Sequence, residues 1–565
     1  MLKGNSFIYY LDQYNVLSPN HSKIYDEYTI ESDIENSYAF TIKTKIEQKL
    51  ISIFESHPHS IILTGNAGDG KTRLCRIIHD YFSDGILQTW PENGIVEFSF
   101  SKGKIRIVKD ISELKEEVIE KELSQLQRYI NSNHKEKIYY LIAANEGKLS
   151  KFLSQYDCLN DLLGEVSKRF RSYKNNNNQF SIFNLLDVTS SVYVEKVLTE
   201  WNKEENWICC HSCPRKKRCI IHMNHDRTTN KHIQDKIIEQ YKLLDYLDTH
   251  ITMREMLIHI SYMLTGGYTC NDIFNADYQE FEQQTKKSYY QNFYGHELDE
   301  NAFSEMNALK IFKALDPGIY SHSFIDDFII NGDINGDIET EQAHNLLIND
   351  SLDLQLGFFK KKLKLYRDYD VDKNHNIIEE WIPKLRRKYF YETPPKGDLN
   401  TNQLLPFEYI SEYISLFNND KNQIIIKKNL IDGLNRVFSG RLTEANKSYL
   451  LATNKNLMVY DQFRPNKDID LIQEEERKDL DRVPSNFSFV VSDEVELKIN
   501  LAVFEYLMRA SGGGTHNVLQ QEAEILIDTF KNELIRISKP EEFELNILRF
   551  DSKSGLFIED EISLL

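Results

Sequence analysis

The sequence predicts an α/β P-loop NTPase, an ASCE/AAA-like parallel sheet with flanking helices, followed by a mainly helical C-terminal half. Three observations predict it. The apolar run Ile61-Ile62-Leu63 feeds straight into Gly65-Asn66-Ala67-Gly68-Asp69-Gly70-Lys71-Thr72, which fits the pattern G-x-x-x-x-G-K-T. Leu74, Ile77, Ile78 and Tyr81 then recur at the spacing of one helix face. Strand-like and helix-like segments go on alternating to about residue 190, as they do in a sheet covered by helices.

In chain order, residues 1–40 are mixed and aromatic-rich and resist classification, whereas Ile42, Ile46, Leu50, Ile53 and Phe54 mark a helix leading into the first strand. Behind the Gly-rich turn and its helix, residues 94–100 and 104–110 alternate as strands, with Ser101-Lys102-Gly103 as a turn between them. Ile119, Leu123, Leu126 and Ile130 form one helical stripe. Ile138 to Ala144 reads as a strand ending in Asn145-Glu146-Gly147, and Asn175-Asn176-Asn177-Asn178 as a loop. Phe180 to Leu186 reads as a buried strand closed by Asp187.

Each residue type in the Gly-rich turn has a chemical use. Glycines let backbone N–H groups point inward as a phosphate nest at a helix N-terminus, so Gly65, Asn66, Ala67, Gly68, Asp69, Gly70, Lys71, Thr72 and Arg73 are the expected ATP contacts. Lys71 reaches the β- and γ-phosphates, and the Thr72 hydroxyl takes a place on Mg²⁺. In parallel sheets ligands bind at the carboxyl ends of the strands, which singles out Asp110, Asn145 and Asp187. Asp110 suits an acid ordering Mg²⁺, or equally the cap of the helix starting near Ser112. Asn145 suits a residue positioning the attacking water, or a simple turn. Ile111 stands where many such ATPases carry the general base, leaving Glu113 and Glu146 as candidates. If residues 94–110 are only a hairpin, the 138–144 strand bears the acid and Glu146 is the base.

The 565 residues imply about three or four domains. The expected division is an N-terminal segment (1–50), a P-loop core (51–195), a Cys/His knuckle (196–230), a helical lid (231–335), a mainly helical domain (336–480) and a C-terminal α+β region (481–565). A net charge of −19 argues against a protein coated for non-specific DNA binding, which needs basic surface. The N-terminal residues show no secretory pattern and no apolar run approaches a membrane span, so the expected compartment is the cytoplasm. Of seven cysteines, four lie between Cys209 and Cys219, and Cys75, Cys158 and Cys270 are scattered. Cys210, Cys213, Cys219 and His222 form two tight pairs suited to a tetrahedral Zn²⁺, with Cys209, His211 and His225 as substitutes. An iron–sulfur cluster and free thiols are the other readings. The linking Arg215-Lys216-Lys217-Arg218 is a basic tip that touches nucleic acid or merely keeps the knuckle soluble.

From Ile233 to Thr265 the pattern is helical and stops at Gly266-Gly267; Arg254 is the candidate for a lid arginine on the phosphates, against an ordinary exposed arginine. The Asp368-to-Glu379 run has calcium-loop spacing but Lys373 where glycine is needed, so it reads as a solvated loop. Arg386, Arg387 and Arg436 lie beside aromatics, with structural ion pairing as the default. Strand-like residues around Phe487–Val491 precede a helix from Leu501 to Met508, a stop at Gly512–Gly514, a second helix to Ile537, and strand-like ends near 545–550 and 556–558.

The chain resembles the DptF (DndF) family, ATP-binding subunits of restriction systems dependent on DNA phosphorothioation. The likeness lies in Gly65–Thr72, Lys109–Glu113, Ala144–Gly147, Gly433–Gly440 and Leu501–Gly513. The resemblance implies a cytoplasmic P-loop ATPase of a phage-defence complex, with other restriction subunits as partners and DNA met through the complex. It carries over Lys71, Thr72 and Asp110. No membrane partner is expected, and a homo-oligomer supplying an arginine in trans is a further option. The alternative is a nucleotide-gated signalling or scaffold (STAND-like) protein with little hydrolysis, favoured by the missing acid after Asp110. A DNA-binding module using the basic tip is the third.

Overall fold

In the computed structural model the described residues are 4–21, 42–87, 89–131, 137–172, 180–349, 351–368, 380–393, 401–418, 423–440, 459–461, 463–514, 520–537, 544–551, 553–554 and 556–563. The asparagine tract at 175–178 and all of the calcium-like run beyond Asp368 lie outside them. The chain divides into two compact units. Unit 1 takes 1–241, 250–394 and the short stretch Arg477–Val483; unit 2 takes 242–249, 395–476 and 484–565.

Unit 1 begins with α1 (Ser6–Leu11) and α2 (Lys45–Ser56), the latter starting where the Thr44 hydroxyl accepts the Glu47 N–H at 3.2 Å. The sheet follows: β1 (Ser60–Thr64), α3 (Lys71–Phe82), β2 (Ile95–Phe100), β3 (Gly103–Val108), α4 (Glu116–Asn131), β4 (Ile138–Ala144), α5 (Glu146–Gln155), α6 (Asn160–Ser172), β5 (Phe180–Asn184) and α7 (Ser190–Trp201). The strand order is β2-β3-β4-β1-β5. β3, β4, β1 and β5 run parallel, while β2 pairs antiparallel with β3, Ile95 facing Val108 and Phe100 facing Gly103. The wholly parallel sheet expected from the alternation is therefore corrected to a mixed one. Two residues, Ser101 and Lys102, join β2 to β3, and so short a link allows only a hairpin, since a parallel return needs a crossover of a dozen residues or more.

Period-2 alternation sorts each strand between two cores. On one face Ile61, Leu63, Ile105, Ile107, Leu141 and Ala143 pack with α2 and α3; on the other Ile62, Val108, Tyr140, Ile142 and Ala144 pack with α4, α5 and α6. Helices on both sides explain why β1 is buried along its whole length and reads as a continuous apolar run. Leu480, from the Arg477–Val483 stretch, is fully buried in the first of these cores. That stretch is pinned further by the Asp481 carboxylate, which accepts the Lys45 N–H at 2.8 Å and pairs with Lys196 at 2.8 Å.

Helices dominate the rest of unit 1, among them α8 (Ile220–Thr228) and α10 (Met253–Thr265), with α9 (Lys231–Tyr246) between them in sequence. α10 is opened by a capping box between Thr252 and Glu255 and closed by Gly266. In unit 2 an antiparallel sheet of β6 (Ile469–Gln473), β7 (Phe487–Val491) and β8 (Val495–Ile499) accompanies α11 (Gln423–Ser439), α12 (Leu501–Gly512) and α13 (Gln520–Ile537). A separate two-stranded sheet is formed by β9 (Glu544–Asp551) and β10 (Leu556–Ser563). Among the described residues no helix is long and apolar enough to cross a membrane.

Truncating Leu480 leaves a cavity in the unit 1 core. Leu480→Ala is expected to destabilise the protein by about 2–5 kcal/mol, read as a lower urea midpoint for the full chain. An unchanged midpoint would mean that the Arg477–Val483 stretch is not integral to that core.

Candidate functional site

The Gly-rich turn leaves the buried end of β1 and enters α3 through three glycines at positive φ: Gly65 (147°), Gly68 (101°) and Gly70 (84°). Gly68 is tightly constrained, because a Cβ there would lie 3.0 Å from the Thr252 hydroxyl and 3.1 Å from the Arg254 Cβ, on top of a backbone angle that L-residues rarely adopt. Lys71, the first residue of α3, is buried, and its ammonium donates to the Gly65 and Asn66 carbonyls at 2.9 and 2.7 Å. Burial lowers the Lys71 pKa, and the nearby Asp69 and Asp110 carboxylates oppose that shift. Asp69 braces the turn from inside: one carboxylate oxygen accepts the Asn66 N–H at 2.6 Å and the other meets His250 Nε2 at 2.7 Å.

The loop borders a cavity of about 410 Å³, lined along it by Ala67, Gly68, Asp69, Gly70, Lys71, Thr72 and Arg73. That volume is in the range of small-molecule sites. Asp110 and Glu113 join the lining at the carboxyl end of β3. The Asp110 carboxylate also accepts the Ser112 N–H at 2.8 Å, so one side chain caps a 3₁₀ turn and lines the cavity. Glu113 is paired with Lys109 at 3.3 Å. Arg254 lines the same cavity, and its backbone N–H donates to the Gly68 carbonyl at 3.2 Å, tying the start of α10 to the turn.

The other strand-end residues stand elsewhere. Asn145 caps α5 by accepting the Lys148 N–H at 3.2 Å, and neither it nor Glu146 lines the cavity. The Glu146 pKa is raised by desolvation and then by the neighbouring Asp187 carboxylate. Asp187 pairs with Arg477 at 2.8 Å, and its carbonyl accepts from Arg482 at 2.9 Å. The alternatives left open for residues 94–110 merge: they form a hairpin, and its second strand still joins β4 in parallel and delivers Asp110 beside Lys71.

Sequence reasoning missed other residues of the cavity lining, among them Tyr10, Gln13, Tyr14, Ile42, Tyr193 and Leu257. The signal available was weak: aromatics in a segment without clear periodicity. The Asp69–His250 contact spans 181 positions and left no local mark in the sequence.

Cys210, Cys213, Cys219 and His222, the expected zinc set, lie in and just before α8. Among the described residues no group of three or more His, Cys, Asp or Glu side chains is arranged to hold a metal ion. Cys219 caps α8, its sulfur accepting the His222 N–H at 3.5 Å, while the His222 ring neighbours the rings of His211 and His225, each at 6.4 Å. The basic tip is partly engaged within unit 1, Arg215 donating to the Phe274 carbonyl at 3.2 Å and Arg218 lying 4.9 Å over the Phe281 ring. The aromatic-flanked arginines pair as the default reading held: Arg386 with Asp326 at 2.6 Å, and Arg387 with the fully buried Asp316 at 2.7 Å. In unit 2, Arg436 donates to the Ala510 carbonyl at 2.9 Å. Comparison with family models, with curated proteins and with solved structures finds no match to the chain.

Asp69→Ala removes the acceptor for both Asn66 and His250. The expected result is a loss of about 1–3 kcal/mol in stability and faster hydrogen exchange at the Asn66 amide. Unchanged exchange there would show that the turn is held by other contacts.

Proposed function

We propose that the chain binds and hydrolyses ATP at the cavity bordered by the Gly65–Thr72 turn. The observation that carries this reading is the meeting of Lys71, Thr72 and Asp110 on one cavity at the N-terminus of α3 and the carboxyl end of β3. The N–H groups and the partial positive charge at the N-terminus of α3 favour an anion there. Lys71 adds a full charge, and its two loop carbonyls are acceptors it exchanges for phosphate oxygens. Thr72 and Asp110 would hold Mg²⁺, which when bound bridges phosphate oxygens and offsets their charge. Arg254 is placed to contact the same phosphates. Its backbone bond to Gly68 gives a route by which phosphate occupancy biases the position of α10.

A strand between the one feeding the phosphate turn and the one bearing the acid, as β4 lies between β1 and β3, supports an ASCE-type arrangement. The finer assignment, an ATPase subunit of a phosphorothioation-dependent restriction complex, rests on the resemblance to DptF proteins. In it the chain works beside other restriction subunits and meets DNA through them, consistent with its charge of −19. A nucleotide-gated switch with slow hydrolysis is the second reading. Ile111 after Asp110, together with Glu146 lying off the cavity lining, favours it.

ATP binding and turnover of the full chain, with and without DNA, test the pair. Lys71→Ala is expected to weaken nucleotide binding at least about tenfold, or about 1.4 kcal/mol. Asp110→Asn should keep binding and lose turnover by about 10²-fold or more. No nucleotide binding by the wild-type chain would sink the proposal. Tight binding without turnover under every condition would sink hydrolysis and leave the switch.

A further inference from the structure

Two of the seven cysteines meet at Asn5, and one of them is Cys270, which no spacing rule connects to the other. The Asn5 backbone N–H donates to Cys270 Sγ at 3.3 Å, and its side-chain Nδ2 donates to Cys210 Sγ at 3.3 Å. The orientation of that carboxamide is determined, because its oxygen accepts the Phe7 N–H at 2.9 Å as the cap of α1 and its nitrogen also reaches the Asn206 carbonyl at 2.9 Å. Asn5 is 3 % exposed, so one buried residue presents two donors to two sulfurs. Gly4 completes the cover: a Cβ there would come within 2.7 Å of the Cys270 Cβ, so the chain passes directly over the thiol.

Two further cysteines belong to the same neighbourhood, Cys213 acting electrostatically on Cys270, and Cys210 and Cys270 on Cys219. Cys213 follows Cys210 by one tight turn, its N–H donating to the Cys210 carbonyl at 3.3 Å. Cys219 sits at the N-terminus of α8, a position that favours a thiolate. Burial pushes the Cys219 thiol up to about 12, with Cys210 and Cys270 adding to the rise; it pushes Cys270 up to about 11, with Cys210, Cys213 and Cys209 adding. The thiols are thus one another's electrostatic neighbours. His222 answers instead to burial, Lys216, Asp226 and His211.

Buried thiols that share polar donors and crowd one another need a cation before they can ionise together, and soft thiolates select zinc or an iron–sulfur cluster. N–H donors on the sulfurs are the outer contacts that orient and tune such ligands. The side chains as they stand gather without closing round an ion. A change of staggered rotamer moves a cysteine sulfur by about 3 Å without moving the backbone.

We propose that Cys210, Cys213, Cys219 and Cys270 form a four-thiolate site for one thiophilic metal centre, with Asn5 as the donor that bridges two of its sulfurs and His222 outside the ligand set. The site ties the N-terminal segment, the 208–219 turn and the helix Cys270–Asn275 to one ion or cluster.

The test is elemental analysis and metal-edge X-ray absorption on the full chain, purified anaerobically and also reconstituted with zinc alone or with iron plus sulfide. About one zinc per chain, or iron with acid-labile sulfide and a broad visible absorption, is expected, with a sulfur-only ligand shell about the protein-bound metal. Cys270→Ser should lose at least half of the metal and His222→Ala should keep it. A wild-type shell containing histidine nitrogen, metal lost from His222→Ala, or protein that stays metal-free after both reconstitutions would each overturn the proposal. The wild-type spectrum decides it even if the Cys270 variant does not fold.

Discussion

Full burial of β1 is the constraint on which unit 1 depends. With β4 on one edge, β5 on the other and a packed core on each face, every residue from Ser60 to Thr64 is closed to water. A strand so placed satisfies its backbone groups through neighbouring strands, and its side chains are mostly apolar. Ser60 accepts the Tyr140 N–H at 3.1 Å, while the buried Thr64 hydroxyl at the strand end has no hydrogen-bond partner among the described residues. The consequence is positional. The chain emerges from the sheet at one fixed point, and the Gly65–Thr72 turn hangs from that point with little freedom to wander.

The turn itself is held by electrostatics rather than by apolar contact. Lys71 is neutralised locally by two carbonyl dipoles, with Asp69 and Asp110 near enough to favour its charge against the cost of burial. Asp69 is in turn shared between the turn and His250. On the proposed reading, an incoming anion would meet a lysine already held out of water. The turn is also linked to the Thr252–Arg254 segment, so the turn and the start of α10 are mechanically connected.

Buried charge elsewhere in unit 1 follows the rule that an ion in the interior is matched by a partner. Asp353 is fully buried and is met by Arg227 at 2.6 Å and Lys388 at 3.5 Å; the two cations hold its carboxyl well below the usual carboxylate range, against the opposing pull of burial. Asp316 does the same with Arg387 and His296, and its pKa is likewise lowered. Arg387, beside aromatics in the sequence, is thus occupied by an internal ion pair. The Cys210 and Cys270 sulfurs are met instead by neutral amide donors, both from Asn5.

Local chemistry was enough to read β1, the Gly-rich turn, α3 and the strand ending at Asp110, because period, glycine placement and the lysine–threonine pair are all short-range signals. The cap on α2, the capping box of α10 and the hairpin turn at Ser101-Lys102 are equally local. Tertiary structure alone decided four things: that Asp110 and Lys71 line one cavity while Glu146 stands off it, that Arg477 takes Asp187, that Tyr10 and Gln13 line that same cavity, and that Asn5 bridges Cys210 and Cys270. Each depends on residues tens to hundreds of positions apart. Strand order, crossover geometry and competition among buried groups choose such neighbours, and none of these is written in the spacing of a single segment.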